Sequence, residues 1–519
     1  MVTLGQPVTR PDARRLAGAH SSMSWSLASV RTTALLLSGV VLLAATLRLA
    51  LINAWPIFMD EDGYMRGALA IQTLPLGDAL MILTQLTYKP PVVPGTLALL
   101  IQAGIDPLVA GRIMMAVAGT LSTLMTFELA RRLGGPGIGV VAAACYALSP
   151  LAVLNERVIN MDPWMATFAL AATLASLTAI ERKSTSMAML AALAGAMAVL
   201  VKTPAIAVAA VPVAALLLHR GRVDRPIIPA VIAMFGPILA YVAVMSSPLG
   251  QTLAEQNAML MAPFVALPQN LLDLADTLWT YFPGGLLLMV VAGAALAFRS
   301  SPRLASISLL MIGVWIGPWI VLSKFAPSRY DLAAMPFLCA FAAVALVRLP
   351  QLVRQGFGQQ IAVIVSVGIV AASGTASLKM VVDHQGSAMT RLDDWQYRSG
   401  WPAGYGYGEA AALIQRTAEP GSSVAYMVDK FHVVAAGLHD PLPAGVTSLG
   451  WSEPDQPLPA TAGRLYVVVD DGRDTEFTDT GENNQGRVER VLAQRPDLRT
   501  FGRFSRPGSE GGVTVLQSP

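Results

Sequence analysis

An uncharged apolar stretch, PIIPAVIAMFGPILAYVAVM, occupies residues 226–245. An α-helix needs about 20 such residues to cross the hydrocarbon core of a bilayer, where every backbone polar group must be hydrogen-bonded within the segment. Hydrophobic residues make up 54% of the 519 positions and charged residues only 13%, and the mean hydropathy is +0.55. Soluble domains carry about a quarter charged residues, so the composition indicates an integral membrane protein.

Ten further apolar runs accompany this stretch. They lie near residues 34–53, 110–129, 137–154, 163–180, 187–201, 204–218, 284–298, 304–322, 332–347 and 360–378. The sequence therefore predicts a polytopic α-helical membrane protein with about eleven transmembrane helices. Because the first run is longer than a signal-peptide core and follows a polar, Arg-bearing segment, we expect residues 1–33 to be a cytoplasmic segment before a retained signal anchor.

Lys and Arg accumulate in alternate connecting segments, which indicates the cytoplasmic side. The loop from about 247 to 283, in contrast, contains no Lys or Arg. We predict a multi-pass protein of the cell (plasma) membrane with a transmembrane region over residues 34–379 and a first external loop over residues 54–109. The net charge of +3 gives no indication of a nucleic-acid partner.

The last quarter of the chain has a different composition, because 18 of the 33 acidic residues follow residue 380. An odd number of spans places this segment outside the cytoplasm. We predict an extracytoplasmic α/β domain over residues 380–519, with strands at 423–428, 465–470 and 512–516 and helices at 409–417 and 485–494.

Charged residues gather at the predicted external ends of the spans. Asp60, Glu61 and Asp62 follow the first span, either as the start of a solvated loop or because one carboxylate is a general base or metal ligand. Lys89 in the same loop either binds a lipid phosphate or snorkels to the interface. Asp162 is either a helix N-cap or part of the same site.

Two later breaks in the apolar pattern also carry cations. Lys202 precedes Pro204, and Arg329 precedes Tyr330. Each cation stands where an anionic headgroup would arrive, and Arg329 could contact a phosphate bidentately or act as an interfacial anchor beside Tyr330.

The ordered set of these motifs resembles the GT-C superfamily, and more narrowly glycosyltransferase family 39, the protein O-mannosyltransferase-like and aminoarabinose-transferase-like group. The resemblance covers roughly residues 35–430. The motifs that carry it are Asp60-Glu61, Lys89-Pro90-Pro91, Leu129–Gly134, Ala147–Pro150, Asp162, Leu200–Pro204, Arg329-Tyr330 before Met335-Pro336, and Ser399–Gly406.

This resemblance implies an inverting transferase that moves a sugar from a polyprenyl-phosphate donor to an extracytoplasmic protein, lipid or polysaccharide acceptor. It implies catalytic roles for the first-loop Asp60 with the adjacent Glu61 and for the second-loop Asp162. The phosphate would contact Lys89, Arg329 and Tyr330, with Lys202 as a further cation. No certain cofactor is implied, and a divalent metal is left open, because Tyr88 stands where aminoarabinose transferases have an acidic residue.

Two other classes of protein compete with this interpretation. A polytopic transporter or flippase of a lipid-linked or anionic substrate would place charges near the bilayer midplane, whereas here they gather at the ends of spans. A non-catalytic scaffold would explain the C-terminal domain but not the convergent loop charges.

Overall fold

The structure is a computed structural model that describes residues 27–81, 90–219, 226–353, 355–427, 442–451, 457–458, 461, 463–470, 486–508 and 511–519. Most of the predicted cytoplasmic segment 1–33 and the candidate phosphate ligand Lys89 lie outside the described residues.

The described helices, in chain order, begin with six that include the first span and the first loop: α1 (Leu27–Leu49), α2 (Met59–Thr73), α3 (Leu76–Met81), α4 (Val92–Gln102), α5 (Pro107–Gly134) and α6 (Pro136–Ala147). Eleven more complete the membrane part: α7 (Pro150–Asn155), α8 (Asp162–Arg182), α9 (Thr185–Val201), α10 (Ala210–Leu217), α11 (Ile227–Met245), α12 (Pro248–Leu260), α13 (Leu267–Tyr281), α14 (Leu286–Ser300), α15 (Pro302–Leu322), α16 (Met335–Leu352) and α17 (Phe357–Val382). Two short 3₁₀ helices, Thr203–Ala209 and Ser328–Ala334, precede α10 and α16.

Eight helices of the described chain are long and apolar enough to cross a membrane, which confirms the predicted polytopic class. They are α1, α5, α8, α11, α14, α15, α16 and α17. Predicted spans 137–154, 187–201 and 204–218 coincide with shorter apolar helices, so the count of eleven stays a prediction.

Local sequence explains where several of these helices begin. Asp106 accepts a hydrogen bond from the Val109 N–H and Pro107 occupies the first turn of α5, as is favoured at helix N-termini. Gly135 then adopts a positive φ of 99° between α5 and α6, a conformation that glycine reaches without strain. These signals separate consecutive helices that are equally apolar.

The core of the membrane part surrounds α16, whose side chains from Met335 to Leu346 are all buried. Helices α5, α6 and α14 pack against it, and Gly293 of α14 lies so close to the Phe341 carbonyl that a Cβ atom would collide with it. Small residues at such crossings allow close packing in membranes. Helices α11 and α17 instead expose most of their side chains, as expected for lipid-facing positions.

The chain continues through α18 (Arg391–Asp394) into a small domain, whose presence confirms the predicted C-terminal α/β fold. Its elements are α19 (Tyr407–Thr417), β1 (Ser423–Met427), β2 (Thr447–Trp451), β3 (Leu465–Asp470), α20 (Arg487–Gln494), β4 (Arg499–Ser505) and β5 (Gly512–Gln517). The sheet order is β2-β1-β3-β5-β4. Strands β1, β2 and β3 are parallel, and β5 is antiparallel to β3 and β4.

This domain packs against the first loop. Phe58 contacts Tyr397 with ring centroids 4.8 Å apart, and Trp55 contacts His384 at 5.3 Å. Gly404 has a positive φ of 70°, and a Cβ atom there would collide with the Ile57 carbonyl oxygen. The segment that follows the last span therefore packs against the start of the first loop and fixes its position.

Candidate active site

The start of the first loop is fixed by a buried ion pair. Arg112 donates from Nε and Nη2 to the two Glu61 oxygens at 2.9 and 2.7 Å, and it also donates to three backbone carbonyls within residues 52–56. Glu61 accepts two further bonds from the backbone N–H groups of Phe58 and Ile159. Both charged side chains are fully buried, so these contacts favour a positioning role for Glu61.

Asp60, one residue earlier on α2, points in a different direction. Arg329 Nη1 donates to Asp60 Oδ2 at 2.7 Å, although the two residues are 269 positions apart in the chain. Their side chains are 14% and 15% exposed. This ion pair can therefore be reached by a ligand, whereas the pair made by Glu61 cannot.

A second ion pair lies between two of the long helices. Lys202 Nζ donates to Asp162 Oδ1 at 2.6 Å, with Asp162 at the start of α8 and Lys202 at the end of α9. The helix cap at α8 is Met161 and no side chain caps it, so the N-cap alternative for Asp162 is wrong. The backbone N–H of Asp162 donates to Asn160 Oδ1 at 2.9 Å, and the Asp162 carboxylate accepts from Lys202.

Tyr330 joins the two ion pairs. The Lys202 ammonium lies 4.2 Å from the centroid of the Tyr330 ring, and the Arg329 guanidinium lies 5.7 Å from the same centroid. The Trp319 ring stacks on Tyr330 with centroids 4.1 Å apart, and its own centroid lies 5.5 Å from the Lys202 ammonium. Aromatic faces attract cations within about 6 Å, so the Tyr330 ring helps to hold both cations at one place. Asp60, Asp162, Lys202, Arg329 and Tyr330 therefore form one cluster, which we call the two-pair site.

Tyr64 is a neighbour of this site that the sequence analysis missed. Burial raises the pKa of its hydroxyl well above the ordinary value, and the nearby carboxylates of Asp60 and Asp162 raise it further. The hydroxyl therefore stays protonated and can act as a hydrogen-bond donor. The signal was its spacing, because residues four apart on a helix share one face and Tyr64 follows Asp60 by four.

The polar side chains of the turn between α7 and α8 contact two different parts of the protein. Only Asp162 reaches the two-pair site. Glu156 accepts from Arg48 Nε at 2.6 Å and from the Tyr146 hydroxyl at 2.6 Å, and Arg157 donates to backbone carbonyls at the end of α1. These buried groups fasten α1 to the turn, so the dense polar sequence there has two separate structural uses.

No group of three or more His, Cys, Asp or Glu side chains that could hold a metal ion occurs within the described ranges. The carboxylates of the two-pair site are instead each bound by a basic side chain. The arrangement offers two cations beside one reachable carboxylate, Asp60, at the ends of the helices, which suits an anionic substrate that carries a reacting hydroxyl or leaving group.

The fold defines a polytopic membrane protein. The family model described as dolichyl-phosphate-mannose-protein mannosyltransferase matches residues 88–246. No curated protein sequence matches the chain at a significant level.

Solved structures extend the likeness to nearly the whole chain. ArnT from Cupriavidus metallidurans bound to undecaprenyl phosphate is 12% identical, with a TM-score of 0.58 over 93% of this chain and 97% of that one. The Archaeoglobus fulgidus oligosaccharyltransferase in complex with Zn and sulfate is 12% identical, with a TM-score of 0.50 over 81% of this chain and 62% of that one.

Arabinofuranosyltransferase AftD from Mycobacteria is 16% identical, with a TM-score of 0.50 over 94% of this chain and 41% of that one. The predicted resemblance to the GT-C superfamily is therefore confirmed, and the chain has the GT-C fold.

Proposed function

We propose that this protein is a membrane glycosyltransferase that moves a sugar from a polyprenyl-phosphate donor to an acceptor hydroxyl, with inversion at the anomeric carbon. The observation that carries the proposal is the two-pair site, which gathers Asp60, Asp162, Lys202 and Arg329 around Tyr330. The match to the mannosyltransferase family model over residues 88–246 supports the same activity.

The two cations are suited to a lipid phosphate. Lys202 and Arg329 are 14% and 15% exposed, and both belong to segments at one end of the long helices. A phosphate that enters between them would share the guanidinium and the ammonium with the carboxylates, and charge-assisted bonds of this kind are the strong ones. Lys89 stays a proposed third ligand of the phosphate, as the sequence resemblance implies. The ArnT structure bound to undecaprenyl phosphate supports a donor of this class.

Asp60 is the proposed general base. The acceptor oxygen attacks the anomeric carbon from the face opposite the phosphate, the bond from that carbon to the phosphate oxygen breaks, and the hydroxyl proton passes to the carboxylate. The polyprenyl phosphate leaves as an anion and needs no proton, so Lys202 and Arg329 stabilise its developing charge. Asp162 positions Lys202, and the protonated Tyr64 hydroxyl is available to donate a hydrogen bond to the substrate.

The transporter or flippase remains the competing function. Within the described residues, the candidate ligand-binding charges lie at the ends of helices rather than halfway along a span, which favours the transferase. We also propose that the site and the C-terminal domain face outside the cytoplasm, as the distribution of Lys and Arg predicts.

Purified protein in vesicles, supplied with radiolabelled polyprenyl-phosphate sugars and with peptide, lipid or glycan acceptors, tests the proposal. Transfer of label to an acceptor is expected, whereas movement of intact donor across the membrane without transfer would indicate a flippase. Asp60→Asn keeps the size of the side chain and removes the base, so turnover should fall roughly 10²- to 10⁴-fold.

Asp78→Asn is the matched control for Asp60→Asn, because Asp78 is an exposed carboxylate in the same loop. It should keep the parental rate. If Asp60→Asn, folded at normal yield, also transfers sugar at the parental rate, Asp60 is not the base.

A further inference from the structure

Helix α13 has its polar and apolar faces reversed relative to a helix on the surface of a soluble protein. Its buried positions are Asn270, Asp273, Thr277 and Tyr281, which recur on one face. The outward positions include Leu271, Leu272 and Trp279, and Trp279 is 85% exposed. A helix normally buries its apolar stripe, so this exposed apolar face needs a partner.

The buried polar face is bonded to the protein. The Asn270 amide donates to the carbonyl oxygens of Ile320 and Ser323 at 3.0 and 2.7 Å, at the end of α15. Tyr281 donates to Asp393 Oδ2 at 2.6 Å. These bonds fix the orientation of α13, so its apolar face cannot turn inward by rotation of the helix.

The opposite face of α13 carries no charge. The exposed positions of this helix are Pro268, Gln269, Leu271, Leu272, Ala275 and Trp279. Its two acidic residues instead turn toward Arg391, since Asp276 accepts from the Arg391 backbone N–H at 2.9 Å and the Asp273 carboxylate lies 3.5 Å from the Arg391 guanidinium. The apolar surface continues into the preceding turn, where Phe264 and Val265 are exposed.

The position of α13 in the chain indicates what covers this face. A short turn, Pro283–Gly285, connects it directly to α14. This turn and α14 together, Pro283–Ser300, are long and apolar enough to span a membrane, and α14 exposes Val291. A helix with one apolar face and a terminal Trp is suited to the boundary between headgroups and acyl chains. We propose that α13 and the turn before it lie in that boundary, with Phe264, Val265, Leu271, Leu272 and Trp279 inserted among the lipids.

This inference does not depend on the proposed transferase activity, but it has a consequence for the site. The carbonyls bound by Asn270 belong to the end of α15, which also carries Trp319. Trp319 stacks on Tyr330 at 4.1 Å. The lipid-facing helix is therefore bonded to the segment that supports the aromatic wall of the two-pair site.

Site-directed spin labelling of the full chain in phosphatidylcholine vesicles tests the proposal. A nitroxide on Leu272→Cys should collide often with oxygen and rarely with a water-soluble nickel chelate, because it lies among acyl chains. Val291→Cys provides the lipid-facing reference. Ala493→Cys, on an exposed position of α20, provides the solvent-facing reference. The native Cys145 and Cys339 are buried, so they should not compete for the label.

The expected result is an oxygen-to-nickel collision ratio for Leu272→Cys that is close to that of Val291→Cys and well above that of Ala493→Cys. A ratio equal to that of Ala493→Cys would overturn the proposal. Dipolar broadening that disappears on dilution with unlabelled protein would also overturn it, because a second copy would then cover the face. Independently of any label, Trp279→Phe should reduce quenching of the protein fluorescence by brominated lipids, and unchanged quenching would contradict insertion.

Discussion

Removal of the Glu61 carboxylate should lower the stability of the folded protein, and any loss of turnover should follow from that loss of stability. Glu61→Ala leaves the fully buried Arg112 guanidinium with neutral carbonyl oxygens alone, and it removes the acceptor of the Phe58 and Ile159 N–H groups. Deletion of one partner of a buried ion pair costs about 3–5 kcal/mol. We therefore expect a large loss of stability, with Glu61→Gln between the parent and Glu61→Ala.

The buried thiols of Cys145 and Cys339 provide the assay, since a thiol-reactive dye becomes fluorescent as the protein unfolds on heating in detergent. Glu128→Ala is the control, because Glu128 is 29% exposed in its pairs with Arg131 and Arg132 and solvent-exposed pairs contribute at most about 1 kcal/mol each. If Glu61→Ala unfolds at the same temperature as Glu128→Ala, the positioning role is refuted. Parental stability with lost turnover would place Glu61 in the chemistry instead.

Three further predictions concern the donor, pH and topology. Lys202→Ala and Arg329→Ala should raise the donor concentration needed for half-maximal turnover. Arg182→Ala, in the last turn of α8 and so at the opposite end of that helix from Asp162, should not. Equal donor dependence in all three variants would remove both cations from the phosphate site. Burial lowers the pKa of His384 from its ordinary value, so the unfolded state takes up a proton at a higher pH than the folded state. The unfolding temperature should therefore fall as the pH decreases below about 6.5. His384→Gln should lose this part of the pH dependence, and a variant with the parental pH profile of the unfolding temperature would contradict the prediction. A thiol at Ala493 should react with an impermeant reagent on intact cells, and labelling only after permeabilisation would reverse the predicted orientation.

The class of fold could be predicted from the sequence because it depends on the length and composition of the apolar runs. The sequence could not predict which of these runs form the buried core of the helix bundle. The runs that became α11 and α16 are similarly apolar, yet α16 is almost fully buried and α11 is largely exposed. Hydropathy measures the preference for an apolar medium, and neighbouring helices and lipid both satisfy it.

The residues of the candidate site could be named from sequence, but their division of labour could not. Asp60, Glu61 and Asp62 are consecutive acids in the sequence, and a helix directs consecutive side chains about 100° apart. They consequently meet three different arginines, Arg329, Arg112 and Arg66. Only the packing of α2 decides which carboxylate stays within reach of a ligand.

The smaller domain shows a similar limit. The buried strands β3 and β5 and both helices were predicted at nearly their observed positions, because their apolar residues are contiguous or periodic. Strand β2 contains Gly450 and β4 contains Gly502, and both strands lie at the edges of the sheet. Edge strands bury few side chains, so their hydrophobic pattern is weak.

The contact between Gly404 and Ile57 has a consequence for biosynthesis. The first loop leaves the ribosome early, but the parts that hold it are synthesised much later: Arg329 near the end of the spans, and Tyr397 and Gly404 beyond them. The ion pair between Asp60 and Arg329 cannot form until the 269 residues that follow Asp60 have been synthesised. A nascent chain that stops before Arg329 would carry both acidic residues of the site and lack the cation that pairs with Asp60, so this ion pair can form only after most of the membrane part has been synthesised.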